Sequence, residues 1–181
     1  MDQKELIRKQ FLKKRKKNYF NIEIFFFNPL IKILKKIKKN KKIISIYYPN
    51  SYELNILNIF KVKYFNRYKF LLPIIKEKNS MIFCKWDKHD ILTVNKYGTA
   101  EPIQSDIIIP NIIIVPILAF DKNKNRLGYG KGFYDKYLNK YVKKNKDILT
   151  VGVAFSFQKH HNLPINKKDF KLDYIITEKG V

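Results

Sequence analysis

The chain has 181 residues, of which 45% are hydrophobic, and a single cysteine, Cys84. That is enough apolar material for one domain of ordinary size with a real core, and one cysteine excludes an internal disulfide or a cysteine metal cluster. The formal charge of +23 would draw polyanions non-specifically. However, the lysines are spread through a background of Ile, Asn, Tyr and Phe, all with A/T-rich codons, so coding bias is a sufficient cause, and neither zinc-finger spacing nor an RNA-recognition aromatic motif is present.

Residues 2–17 predict a helix with Leu6, Ile7, Phe11 and Leu12 towards one side; Lys4 and Arg8, four apart, share a face. The charged amino terminus carries no secretory signal. Residues 22–34, the most apolar early stretch, contain Asn28-Pro29 and Lys32 and fall short of the roughly 20 apolar residues of a membrane span. A second helix is expected over 22–37, re-aimed at Pro29, and the basic run 35–42 reads as a solvated helix end and loop. Residues 43–48 predict a buried strand closed by the turn Pro49-Asn50-Ser51, and 53–65 return to helical spacing. Short strands are expected at 70–73, 81–86 and 91–94. The continuous apolar run 112–115 suits a central parallel strand, with a turn or short helix at 107–109 beside it. A helix over 132–143 and strands at 148–155 and 174–177 complete the chain. The alternation predicts a single α/β domain over 1–181, a mostly parallel central sheet flanked by helices in a Rossmann-like layered arrangement. In such sheets ligands gather beyond the carboxyl ends of the strands. That points to the segments after 115, after Tyr48 and after the 148–155 strand.

Residues 120–135 carry the strongest chemical signal: Phe-Asp-Lys-Asn-Lys-Asn-Arg-Leu-Gly-Tyr-Gly-Lys-Gly-Phe-Tyr-Asp. Gly128, Gly130 and Gly132 alternate after an apolar run and before a helix. Glycine lets the backbone approach an anion closely, and the helix would aim free N–H groups and its positive dipole end at it. Arg126 and Lys131 add fixed charge, and Asp135 falls in the first helical turn. The spacing is neither a Walker loop nor the dinucleotide fingerprint.

The string Arg126-Leu127-Gly128-Tyr129-Gly130-Lys131-Gly132-Phe133-Tyr134-Asp135 resembles the signature of the 5-formyltetrahydrofolate cyclo-ligase (methenyltetrahydrofolate synthetase) family. Lys4-Glu-Leu-Ile-Arg8 resembles the family's amino-terminal nucleotide element. Residues 44–48 with Glu53-Leu54 resemble its folate-binding strand and turn. Pro73, Met81-Ile-Phe83, Glu101-Pro102, Gly152-Val-Ala-Phe155, Gln158, Pro164 and Asp169-Phe-Lys-Leu-Asp173 continue the pattern in order. The resemblance implies a cytoplasmic, monomeric enzyme that converts 5-formyltetrahydrofolate to 5,10-methenyltetrahydrofolate with ATP as co-substrate and Mg2+. It implies ATP contacts from Lys4, Arg8, and 126–134, including Leu127 and Tyr134. It places folate contacts at Tyr48, Glu53, Tyr129, Gly130, Lys131, Gly132 and Phe133, catalytic charge at Lys131 and Arg126, and metal ligands at Asp135 and Asp173. Tyr129 replaces a basic residue seen in some relatives, and Phe133 replaces a tyrosine.

Plainer readings stand beside these. Lys4 and Arg8 suit a solvated basic helix, Asp135 a helix cap, Glu53 a helix start and Asp173 a turn. His160-His161 reads as an exposed loop and Cys84 as strand packing. Two other functions remain open at this point: a nucleotide- or folate-binding homologue without turnover, and a basic nucleic-acid-binding protein, whose mark would be steep salt dependence.

Overall fold

The structure is a computed structural model and describes residues 2–37, 42–77, 80–103 and 106–181. Of the basic run 35–42, residues 38–41 lie outside the described residues.

Helix α1, Gln3–Asn18, starts at Asp2, whose side chain accepts the Lys4 N–H, and ends in Arg15, Lys16 and Lys17, cations placed favourably at the negative end of the helix dipole. Its inner stripe is Ile7, Phe11 and Arg15. Leu6 and Leu12 instead face outward, at 52% and 38% exposure. The 3-10 turn Ile24–Phe27 precedes α2, Asn28–Lys36, which has Pro29 in its first turn. Proline there starts the helix rather than bending it, because its missing N–H is needed by no bond and its φ is already helical. The expected helix over 53–65 is replaced by two 3-10 helices, Ile56–Lys61 and Lys63–Arg67, divided at extended Val62. The segment is rich in β-branched and aromatic residues, which disfavour a long α-helix. Its Asn55 side chain caps Leu57 N–H.

Six strands form the main sheet: β1 (Ile43–Ser45), β2 (Lys69–Lys76), β3 (Ser80–Lys85), β6 (Ile112–Pro116), β9 (Leu149–Val153) and β10 (Tyr174–Ile176). Their order is β10-β9-β6-β1-β2-β3, all parallel except the β2–β3 pair. This is the mostly parallel layered sheet expected from the sequence. The central strand β6 is fully buried over Ile112–Val115, and its side chains alternate between two cores, as the two-residue period of a strand requires. Ile112 and Ile114 pack with α2 and the 3-10 turns; Ile113 and Val115 pack with α3 (Phe133–Tyr141). Helix α1 packs through Ile7 and Phe11 on Leu118, Ala119 and Leu127.

Two small hairpins stand off this frame. β4 (Leu92–Val94) pairs with β5 (Ala100–Pro102), a strand not expected from the sequence. Its turn is built by Asn95, whose Oδ1 accepts the Tyr97 and Thr99 N–H groups, and by Gly98 at φ 73°. Glu101 ties the hairpin to β2 by accepting Ile75 N–H at 3.1 Å. β7 (Ala119–Phe120) pairs with β8 (Arg126–Leu127) around Asp121. The buried Asp121 carboxylate takes the Asn123, Asn125 and Leu163 N–H groups, which fixes where the glycine segment departs. Ile107 makes an antiparallel bridge to Cys84 rather than a helix. Cys84 is buried in β3, and His161 is exposed.

Candidate active site

A cleft of about 1020 Å³ opens where the sheet meets α1 and α3. The turn after β1 lines it, and so does Pro116 at the carboxyl end of β6. The segment after β9 does not: Ala154 and Phe155 are fully buried in the two cores.

The glycine segment forms one wall. Gly132, at φ 72°, is the residue before α3, and Gly130 stands at φ 92° with the position of a Cβ only 3.1 Å from the Arg8 guanidinium carbon. A side chain at Gly130 would meet both a strained backbone and that contact. Arg8 Nε donates to Gly128 O at 3.0 Å and its Nη1 pairs with Glu5 at 3.2 Å. Lys4 pairs with Asp169, a residue the sequence reading had not put in the site. Among the described residues, no acceptor takes the N–H groups of Tyr129, Gly130, Lys131 or Gly132, so the loop presents donors without partners.

Arg126 is 8% exposed and its Nη2 pairs with Asp135 Oδ1 at 2.8 Å. Burial pulls the guanidinium pKa down, opposed by Asp135 and more weakly by Tyr134 and Asp169; a guanidinium remains protonated regardless. Its Nε and the Tyr134 hydroxyl are both buried without partners. Lys131 is exposed, and its ammonium lies 5.8 Å from the Tyr97 ring.

Aromatic rings line the cleft as well. Tyr48 packs edge-on to Trp86, and Phe133 to Tyr97 at the tip of the β4–β5 hairpin. Tyr97 lines the cleft although nothing in its sequence context had marked it; only the pairing of β4 with β5 brings it there. Below lies the turn after β1, with Ser51 and Tyr52 at φ 49° and 63°. Non-glycine residues in that region are strained and persist only when surrounding contacts hold them. Asn50 N–H donates to Glu53 Oε2 at 2.9 Å, and Asn50 Nδ2 to Gly98 O at 3.2 Å.

Glu53 is not the start of a helix but a buried carboxylate, 8% exposed. Burial raises its pKa, opposed by the Asn50 N–H, the Tyr129 hydroxyl and the Arg15 charge. Between the ordinary carboxylate pKa and the raised one, the folded protein holds a proton that the unfolded chain has released. Stability therefore falls as pH rises through that window, and the deficit persists above it. Glu53→Gln is accordingly expected to unfold at a higher urea concentration than the parent at pH 8, with the difference closing as the pH drops below the ordinary glutamate range. A lower urea midpoint at pH 8 would contradict this.

The structure thus gathers Lys4, Arg8, Tyr48, Glu53, 126–134 and Asp135 around one cleft. It does not bring Asp173 there. Asp173 Oδ2 accepts both the N–H (2.8 Å) and the hydroxyl (2.7 Å) of Thr150 at the start of β9, and the residue lines a separate depression with Lys124 and Lys146. A carboxylate pinned at the amino ends of β9 and β10 serves those strands, so Asp135 and Asp173 do not form one metal site in this arrangement. No group of three or more His, Cys, Asp or Glu suited to a metal occurs among the described residues. Magnesium asks for less: one or two carboxylates, its other positions filled by phosphates and water. Asp135, whose Oδ1 takes Arg126 Nη2 and the Phe170 N–H while no bond among the described residues reaches its Oδ2, fits that demand.

Fold and cleft together define an α/β enzyme that sets an anion-ready glycine loop against an aromatic-walled pocket. The model of the 5-formyltetrahydrofolate cyclo-ligase family matches residues 1–178, and the chain belongs to that family. The 5-formyltetrahydrofolate cyclo-ligase of Mycoplasma pneumoniae is 28% identical over 183 residues, 97% of this chain and 99% of that one. A Schizosaccharomyces pombe relative whose name carries the same activity is 36% identical over 110 residues, a match spanning about half of each chain (53% and 54%). The solved structure of Aquifex aeolicus 5,10-methenyltetrahydrofolate synthetase is similar with a TM-score of 0.72 and 32% identity, over 98% of this chain and 90% of that one. The family is one of ligases in folate one-carbon metabolism. No helix among the described residues is long and apolar enough to cross a membrane.

Proposed function

We propose that the protein closes the ring of 5-formyltetrahydrofolate to 5,10-methenyltetrahydrofolate at the expense of ATP. The observation that carries this reading is the adjacency, in one cleft, of unpartnered loop N–H groups and cations with a pocket walled by Tyr48, Phe133 and Tyr97. An N-formyl group is a poor electrophile with a poor leaving oxygen. Attack of the formyl oxygen on the γ-phosphorus releases ADP and makes that oxygen part of a phosphate. N10 then adds to the activated carbon and loses its proton, and phosphate departs as the methenyl bridge forms.

This chemistry needs positioning and charge neutralisation, not a protein nucleophile. Lys131 and Arg126 hold the transferring phosphoryl group, Lys4 and Arg8 hold the rest of the triphosphate, and the amides from Tyr129 to Gly132 donate to its oxygens. Tyr48 and Phe133 hold the pterin, and Glu53 anchors its polar edge. Asp135 would hold magnesium, which would supply charge neutralisation to the phosphoryl transfer. Substrate labelled with 18O in the formyl group tests the sequence of steps. The label is expected in the released phosphate; label retained in water or formate would refute phosphorylation of the formyl oxygen.

A further inference from the structure

Arg15 is a buried cation with two unpartnered nitrogens. Among the described residues of α1 it is the buried cation, 1% exposed, continuing the stripe of Ile7 and Phe11 one turn further on. Its Nε and Nη1 are buried without partners, a penalty that an apolar residue at the same place would avoid. Its remaining nitrogen, Nη2, donates to Ser51 O at 2.8 Å and to the Tyr129 hydroxyl, and the guanidinium carbon lies 5.3 Å from the Tyr129 ring centre.

Both partners belong to the pocket. Ser51 sits in the left-handed region at φ 49°, in the turn that carries Asn50 and Glu53. Tyr129 lies between two of the loop glycines. Tyr129 as a whole is 41% exposed, but its hydroxyl end, held against Arg15, is kept protonated by local desolvation and by the Glu53 charge. Having accepted from Arg15, it retains its own proton for Glu53. One side chain outside the cleft lining therefore holds both the strained turn and the loop residue, each of which lines the pocket.

We infer that Arg15 is a positioning residue for the folate end of the cleft, holding Tyr129 and the Ser51 turn so that Glu53 meets the substrate. The inference rests on the folate reading of the pocket. A residue kept for stability alone would weaken the fold when replaced; one kept for positioning leaves the fold intact and damages one substrate selectively. Arg15→Met preserves length and apolar packing while removing the fork.

The test is steady-state kinetics with each substrate varied in turn, alongside urea unfolding and calorimetric titration with 5-formyltetrahydrofolate. For Arg15→Met, KM and Kd for the folate are expected to rise about tenfold or more. KM for ATP should stay within about twofold, and the urea midpoint should be equal or higher. Arg15→Lys should recover part of the loss. Tyr129→Phe should err in the same direction, and the double variant should be no worse than Arg15→Met. Tyr129→Phe alone carries the test if Arg15→Met fails to fold. Unchanged folate constants overturn the inference, as does a fall in stability with both KM values and kcat moving in parallel. Parent protein that binds the folate without turning it over would sink the catalytic reading but leave the Kd comparison decisive for Arg15. Parent protein that binds no folate would overturn both.

Discussion

Arg126→Ala is expected to abolish most turnover, lowering kcat/KM about 10³-fold or more, and to destabilise the protein. Two effects add. Removing one preorganised donor to a developing charge typically loses 10²–10³ in rate, about 3–4 kcal/mol. Removing one partner of a buried pair also leaves the other uncompensated, which costs about 3–5 kcal/mol. Here the lower end applies to folding, because the Asp135 side chain is 26% exposed while Arg126 is 3%, and an orphaned Asp135 can turn to water. Arg126→Lys separates the two. It keeps the charge but not the planar fork, so it should restore much of the urea midpoint and little of the rate. Full activity in Arg126→Ala would remove this residue from the phosphoryl site.

Lys131→Ala should behave in the opposite way with respect to folding. The side chain is exposed and its ammonium lies 5.8 Å from the Tyr97 ring, so stability to urea should change by no more than about 0.5 kcal/mol. Turnover should fall about 100-fold, the scale of losing one charge from a phosphoryl clamp. Because no carboxylate among the described residues pairs with the lysine, the loss should appear in kcat as well as in KM for ATP. His161→Ala, exposed and outside the cleft, is the control and should leave both quantities unchanged. If Lys131→Ala keeps parental kcat, the lysine serves only attraction of the nucleotide.

Much of this arrangement is legible in the chain because it is local. The glycine segment, the helix behind it and the uninterrupted apolar strand at Ile112–Val115 are each encoded within about ten residues, where period and turn chemistry act directly. The mostly parallel character of the sheet followed from strands alternating with helices. What escaped the sequence is set by distant partners. Arg15 looks like one more lysine-rich surface residue until α1 is docked, although its spacing from Ile7 and Phe11 was a usable signal. Asp169 joins the site only because the chain returns past Lys4. Tyr97 reaches the cleft through a hairpin whose second strand, Ala100–Pro102, has no strong β pattern. The reading of Glu53 as a helix start failed because the following residues, Ile56, Ile59, Val62 and Phe65, favour tight 3-10 turns and core packing over a continuous α-helix. Asp173 shows how a distant partner recasts a motif residue: the resemblance implies a metal ligand, and the structure hydrogen-bonds its carboxylate to the Thr150 N–H and hydroxyl.

The most direct measurement is near-ultraviolet absorbance of methenyltetrahydrofolate with purified protein, 5-formyltetrahydrofolate, ATP and magnesium, omitting one component at a time. The account predicts product only when all four are present, with one ADP released for each ring closed. Folded protein that forms no product with all four present, or forms it without ATP, would contradict it.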